Sequence, residues 1–357
     1  MAELSYPTTH VHHISGTPYQ AGLALGRAVA PRLATTIDRY IHTGPALLGP
    51  IDHAALHAAA APWLDALPDR YRQEIEGIAA GAGLPAARIA QWHLAESFAR
   101  PGCTTIACRV GPHAWIARNN DLWSPDLWGY VTVREIDGRI PTISFGLEGE
   151  PFTATGINHS RLWLHYHYLP VPQSSPEGNS ERLRPLPDYL LLTEALETCH
   201  SIADVEALFT RTPHQGGMIL FAVDGKTDEV AVWECGPTTC RRRPFPSAAH
   251  WIAATNHSCI DLPDDDDEFT TGSLKRLARV KELAAVHCHD AASLPANLPA
   301  GLIAILSDPA IEGRDPDRGT VYANVACPST LTLWYTFGGY PAASAGRWAP
   351  VPWPWAS

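Results

Sequence analysis

Near residue 100 the chain changes character, and this limits its possible folds more than any other feature. The first hundred residues are Ala-rich and helically spaced; after residue 102 short β-prone runs alternate with turns. In the first block, Thr17-Pro18-Tyr19-Gln20 predicts a helix start: Thr17 can cap, Pro18 suits the first turn and Gln20 completes a capping box. Gly22 and Gly26, one turn apart, leave a smooth face where another backbone can come close. Tyr71, Ile75, Ile78 and Ala79 form an apolar stripe at i, i+4, i+7, i+8, read as core packing. In the second block, residues 104–110 and 114–118 read as strands around a Gly111-Pro112-His113 turn. Residues 130–136 and 139–145 flank Asp137-Gly138 as a hairpin, and 218–223 and 230–235 form another with a longer loop. A late strand pair, 320–326 and 329–337, is broken by Pro328, and helical segments are expected at 187–199, 201–209 and 273–286.

With 357 residues, 45% of them hydrophobic and 18% charged, the chain can fill one large domain or two closely packed ones. Its formal net charge of −11, with no Lys/Arg cluster, argues against nucleic acid or an anionic membrane surface as partner. No secretory signal opens the chain, and no apolar run is long enough to span a bilayer, so a cytoplasmic location with reduced thiols is expected. The eight cysteines (103, 108, 199, 235, 240, 259, 288, 327) contain no CxxC pair. Residues 173–185 and the acidic run 261–268 read as solvated loops; the latter lacks the Gly and ligand spacing of an EF-hand.

The chemistry concentrates at the junction between the two blocks, Arg100-Pro101-Gly102-Cys103-Thr104-Thr105, followed by Ala117-Arg118-Asn119-Asn120-Asp121. Gly102 permits backbone conformations closed to other residues, and Pro101 stiffens the approach. A cysteine heading a strand after a Pro-Gly turn is placed to attack the peptide bond before it, through an N-to-S acyl shift and hydrolysis of the resulting thioester. Cleavage between Gly102 and Cys103 would give Cys103 a free α-amino group with an ordinary pKa of about 7.7–8.0, able to take the thiol proton. A nearby cation such as Arg118 would favour the thiolate. Taken alone, a Gly-Cys pair equally fits a buried structural cysteine.

A resemblance along much of the chain favours the chemical reading. Gly16-Thr17-Pro18-Tyr19 with Gly22 and Gly26, then Ile75-Glu76-Gly77-Ile78-Ala79-Ala80-Gly81, then Gly102-Cys103-Thr104-Thr105 resemble signatures of the acyl-coenzyme A:6-aminopenicillanate (isopenicillin-N) acyltransferase family, peptidase family C45, of the N-terminal-nucleophile hydrolase superfamily. Arg118-Asn119-Asn120-Asp121 is similar to the RNxD element of bile-salt hydrolases and penicillin V acylases. The resemblance implies an α/β (α+β) fold, a four-layer αββα sandwich of two antiparallel sheets between helical layers. Residues 1–102 would become an α fragment and 103–357 a β fragment, staying associated as one domain. It implies Cys103 as nucleophile, Asp121 orienting the α-amino group or the substrate amine, and Arg118 and Arg318 stabilising the thiolate and holding carboxylates. Asn256, and with it Asn158, would donate to the oxyanion. Neither cofactor nor metal is implied. The expected substrate is a small acyl amide or acyl thioester, with hydrolysis as first reading and transfer to an amine as the alternative. Two departures point away from penicillin itself: Pro101 replaces an acidic residue before the cut, and Asn120 replaces a bulky aromatic. The C-terminus also carries no peroxisomal address.

Other classes fit less well. A papain-like protease could recruit His257, but Cys103 lacks that signature. His10, His12 and His13, or His287, Cys288 and His289, have no recognised ligand spacing for a metal. An inactive binding protein of the same fold would not need Cys103, Arg118 and Asp121 together.

Overall fold

Two sheets lie face to face between helices in the computed structural model, which describes residues 11–43, 53–96, 99–170, 187–213, 216–237, 239–246, 249–261, 267–288, 298–315 and 318–355. The first sheet runs in the order β1 (Val11–Gly16), β4 (Trp128–Ile136), β5 (Thr142–Leu147), β6 (Thr155–Asn158), β7 (Leu162–Leu169), β8 (Gly217–Asp224), β9 (Glu229–Gly236) and β10 (Thr239–Arg243). All its neighbours are antiparallel except the β1–β4 pair. The second runs β11 (Trp251–Ala254), β2 (Gly102–Val110), β3 (His113–Leu122), β13 (Arg318–Cys327), β14 (Thr332–Phe337) and β15 (Arg347–Pro350), with β12 (Arg314–Asp315) beside β13. Helices α1 (Pro18–Thr43), α2 (His53–Ala66), α3 (Asp69–Ala82) and α4 (Ala86–Glu96) gather at the β1–β4 end of the first sheet. Helices α5 (Asp188–Thr198) and α6 (Ile202–Arg211) cover the rest of its outer face, and α7 (Glu268–His287), α8 (Leu298–Leu306) and α9 (Ala342–Ala345) cover the second sheet. This is the αββα sandwich implied by the resemblance.

Burial on both faces explains why the central strands read as continuous apolar runs. In β8, Met218, Leu220 and Ala222 pack outward with α5 and α6, while Ile219, Phe221 and Val223 pack inward. In the second sheet Ile106 and Cys108 face Leu277 and Val280 of α7 and Leu302 of α8. The Tyr71, Ile75, Ile78, Ala79 stripe is buried as read, and Thr17 and Gln20 exchange the two bonds of a capping box at 3.1 and 3.3 Å.

The glycine face also finds its partner. α1 crosses α3 so closely that a Cβ on Gly22 would lie 2.2 Å from Glu74 O and one on Gly26 2.2 Å from Ile78 O. Gly77 and Gly81 meet α1 in the same way, at 2.3 Å from Tyr19 O and 2.4 Å from Leu23 O. Even one methyl there must push two backbones apart. We expect Gly26→Ala to cost about 1–3 kcal/mol in urea unfolding. Gly272→Ala, in α7 with only Arg276 Nη1 at 3.9 Å, should instead be neutral or stabilising. Equal effects of the two would refute the close-crossing explanation.

Several elements differ from expectation. The first block is not wholly helical: β1 precedes α1 and pairs in parallel with β4. β2 starts at Gly102, so Cys103 is already inside the ladder, opposite Asn120. α7 starts at Glu268 because Asp267, from the acidic run, caps it by accepting from Thr270 N at 2.8 Å. The other acidic-loop residues at 262–266, the loop at 173–185, His10 and His289 lie outside the described residues. Cys235 and Cys240, expected as free thiols, are joined as a disulfide. They stand opposite each other on β9 and β10 with Cα atoms 4.0 Å apart. No helix among the described residues is long and apolar enough to cross a membrane.

Candidate active site

Strand alternation decides which residues meet Cys103. In the β2–β3 ladder Cys103 stands opposite Asn120 and Thr105 opposite Arg118. Opposite residues share a face, so all four side chains enter the space between the sheets. Asn119 takes the other face and donates to Leu306 O at 2.8 Å. Arg118 Nη2 lies 3.4 Å from Cys103 Sγ, the thiol donates to Asn120 Oδ1 at 3.4 Å, and Arg118 Nη2 donates to Asn120 Oδ1 at 2.8 Å. The guanidinium is fixed by Ala154 O at 2.8 Å, Tyr166 O at 3.0 Å and the Thr155 hydroxyl. Thr155 in turn bonds Tyr322 OH at 2.9 Å.

The main chain at the expected cut is held from another side. β11 pairs with β2, Ala254 opposite Thr105, so the chain just beyond β11 runs past Cys103. There Asn256 Oδ1 accepts from Cys103 N at 2.7 Å and from Arg276 Nη2 at 2.8 Å. Its Nδ2 donates to Pro101 O at 3.1 Å and to Tyr168 O at 2.9 Å. Asp121, opposite Gly102, accepts from Thr320 Oγ1 at 2.7 Å. Its other oxygen would lie 3.0 Å from a Cβ on Gly102, so a larger residue there would crowd the carboxylate.

Desolvation dominates the electrostatics of the site. Burial pushes the Cys103 thiol up and Arg118 pulls it back only in part. Arg118 was expected to lower the thiol pKa; in the uncut chain desolvation is the larger effect. Burial likewise raises the Asp121 carboxyl, against Arg276, Thr320 and the other arginines. Behind Cys103, Thr105 Oγ1 bonds His165 Nε2 at 2.9 Å and His167 Nε2 at 2.7 Å. Burial drives both imidazoles well below their ordinary range, so they stay neutral.

Not every expected residue is brought to the sulfur. Asn158 gives both amide hydrogens to Leu196 O and Cys199 O, each at 2.8 Å, tying down the end of α5 and leaving no donor for an oxyanion. Arg318 is half-buried over the Phe269 ring at 5.3 Å and its side chain makes no hydrogen bond or ion pair among the described residues; Arg276 is the cation that reaches Asn256. His257 bonds Ser273 Oγ at 2.8 Å, not Cys103. Arg276 and the two histidines were missed because no local motif marks them, and Thr320, two residues after Arg318, is the one of that segment that bonds Asp121.

A change of labelling order follows. In the uncut chain Cys103 is buried and Cys259 is half-buried, so limiting iodoacetamide should reach Cys259 first. Once a cut exposes Cys103 beside its own α-amino group, Cys103 should label first. Peptide mapping before and after processing reads the order, and Cys259 leading in both states would count against Cys103.

The αββα sandwich thus sets a cysteine beside a guanidinium and two side-chain amides, with a carboxylate opposite the preceding glycine. A family model described as acyl-coenzyme A:6-aminopenicillanic acid acyl-transferase matches residues 108–338. The chain belongs to this family. It is 27% identical over 200 residues to the acyl-coenzyme A:6-aminopenicillanic-acid-acyltransferase 40 kDa form of Emericella nidulans, covering 54% of this chain and 53% of that one, so it spans about half the length of this relative. Among solved structures it is similar to a Caenorhabditis elegans N-acylethanolamine-hydrolyzing acid amidase ortholog, at TM-score 0.47 and 14% identity over 64% of this chain and 93% of that one. The penicillin V acylase of Agrobacterium tumefaciens follows at TM-score 0.44 and 10% identity, over 70% and 86%.

Proposed function

We propose that the chain is the precursor of a self-processing cysteine amidase that hydrolyses small N-acyl amides through a thioester on Cys103. The observation behind this reading is the position of Cys103: its sulfur lies between Arg118 and Asn120, while Asn256 holds its backbone nitrogen. In processing, Sγ attacks the Gly102 carbonyl carbon and the peptide C–N bond breaks. The nitrogen takes up the proton to become the Cys103 α-amino group, and water hydrolyses the Gly102 thioester to a carboxylate. In turnover the α-amino group takes the thiol proton and Sγ attacks the substrate carbonyl. The amine leaves with that proton, and water releases the acid. Asp121, on the far face opposite Gly102, is suited to hold the α-ammonium form.

The two fragments should remain together. β1 pairs with β4, the Tyr189 hydroxyl donates to His93 O at 2.7 Å, and buried Arg134 on β4 grips Glu74 on α3 at 2.5 and 3.0 Å. Removing one member of such a buried pair costs about 3–5 kcal/mol.

Transfer to an amine is the second reading, favoured by the acyl-transferase description of the family model. It shares the thioester and differs only in what attacks it. The test is intact mass of the processed protein with a panel of N-acyl amines, followed by product analysis with and without an added primary amine. An acyl adduct on the 103–357 fragment that water discharges supports the amidase. Discharge only when amine is present assigns transfer, and no adduct with any donor refutes both.

A further inference from the structure

Asn256, which holds the Cys103 nitrogen, is itself held by one helix. Ser273 and Arg276 stand one turn apart on α7, on the same side of it. Ser273 Oγ accepts from Asn256 N at 2.7 Å, and Arg276 Nη2 donates to Asn256 Oδ1 at 2.8 Å. From β7, His167 Nδ1 donates to the Thr255 carbonyl at 2.7 Å. Backbone and amide oxygen are thus fixed from separate elements, and the Asn256 Nδ2 is turned towards the chain before Cys103.

The amide oxygen carries two donors. Cys103 N lies 2.7 Å from it and Arg276 Nη2 2.8 Å, so a guanidinium and the nitrogen that becomes the α-amino group meet on one atom. Arg276 forms no ion pair among the described residues, and its Nε is buried without a hydrogen-bond partner. Its charge faces a neutral amide and is not cancelled by a carboxylate in contact.

Other groups around the nitrogen leave it in a positive field. β3 brings Arg118 and Asp121, and β13 brings Arg318. His165 and His167 on β7, and His257 just beyond β11, are imidazoles whose charged form burial disfavours. Three guanidiniums therefore face one carboxylate, Asp121, and after burial itself Arg276 is the strongest influence on it. An arginine stays charged at any working pH, and a like charge beside an ammonium favours loss of its proton. Arg118 lies against the sulfur, where it favours the thiolate, while Arg276 lies on the nitrogen side. Turnover needs both: a neutral amine to take the thiol proton, then an ammonium that gives it to the leaving amine.

We propose that Arg276 is a positioning residue that acts through Asn256 on the α-amino group of cut Cys103, keeping it neutral near physiological pH and making its ammonium form a ready proton donor to the leaving amine. This rests on the amidase reading above, and the test separates the two. In cut protein carrying carbon-13 cysteine, the Cys103 Cα resonance, identified by its absence from Cys103→Ala, follows the amine without any substrate. In wild-type protein it should titrate below the ordinary α-amino value of about 7.7–8.0. Arg276→Gln removes the charge and should raise the midpoint by about one pH unit, whereas Arg276→Lys keeps the charge and should leave it near wild type. With an N-acyl amine that is turned over, the acid limb of kcat/KM should move up in step, so Arg276→Gln loses about tenfold more rate below the limb than on the plateau. A wild-type midpoint at or above the ordinary value overturns the proposal, whichever variants fold and process. So does a uniform loss of kcat in Arg276→Gln with an unmoved limb, which would leave Arg276 holding Asn256 in place and the amidase intact. The expected titration with no amide turned over would keep the role of Arg276 and refute the amidase. Protein that stays uncut has no such α-amino group and overturns both.

Discussion

Wild-type protein should separate under denaturing conditions into two chains, residues 1–102 and 103–357, the larger beginning Cys-Thr-Thr-Ile, whereas Cys103→Ala should remain one chain and hydrolyse nothing. Loss should be complete, because one sulfur serves both reactions and neither Asn120 nor Arg118 can act as nucleophile in its place. The Cys103→Ala protein should still fold: Cys103 is fully buried, but removing one sulfur leaves the β2–β3 ladder and both cores intact. Mass spectrometry of the two proteins, with circular dichroism as control, is the measurement. An active preparation that stays uncut would remove self-processing from the mechanism.

Replacing Asn256 should have the second largest effect, and geometry says why it should appear after processing. In the uncut chain both Nδ2 hydrogens are engaged, one by Tyr168 O and the other by Pro101 O. Once the chain ending at Gly102 can withdraw, the hydrogen held by Pro101 becomes available to an oxyanion forming on Cys103. One such donor is worth roughly 10²–10³ in kcat, with KM little changed because the charge develops only in the transition state. Asn256→Asp is the sharper variant. It keeps an acceptor for Cys103 N and Arg276 while removing the donor. Steady-state kinetics on cut protein decides: unchanged kcat in Asn256→Asp would move the oxyanion donor to a backbone amide, since Asn158 has no hydrogen to offer.

Much of this was legible in the residues because the signals are local. The capping box at Thr17 and Gln20, the stripe through Tyr71 and Ile78, the two hairpins and the Gly-Cys junction each depend on neighbours within a few positions. Even the Gly22–Gly26 face announced a close backbone contact, though not with which helix. Cys103, Arg118 and Asn120 could be grouped in advance, since one hairpin register brings them together.

What sequence alone determined, then, is the Gly-Cys junction, the strand neighbours of Cys103 and the alternation of elements, because backbone periodicity and turn chemistry act over short separations. Tertiary structure decided the rest. Asn158 and Asn256 were expected in the same role, yet one anchors α5 and the other holds the Cys103 amide, because only the second follows directly on a strand paired with β2. Arg276 reaches the site from a helix that shows no sign of it, while the side chain of Arg318, expected there from the resemblance, forms no hydrogen bond or ion pair among the described residues. Glu96 and Glu150 share one cavity although they stand far apart in the chain, and nothing in either segment points to the other. The physical reason is common to all three cases: a side chain's role depends on what surrounds it, and contacts between distant segments are set by how layers pack, which no short stretch of sequence encodes.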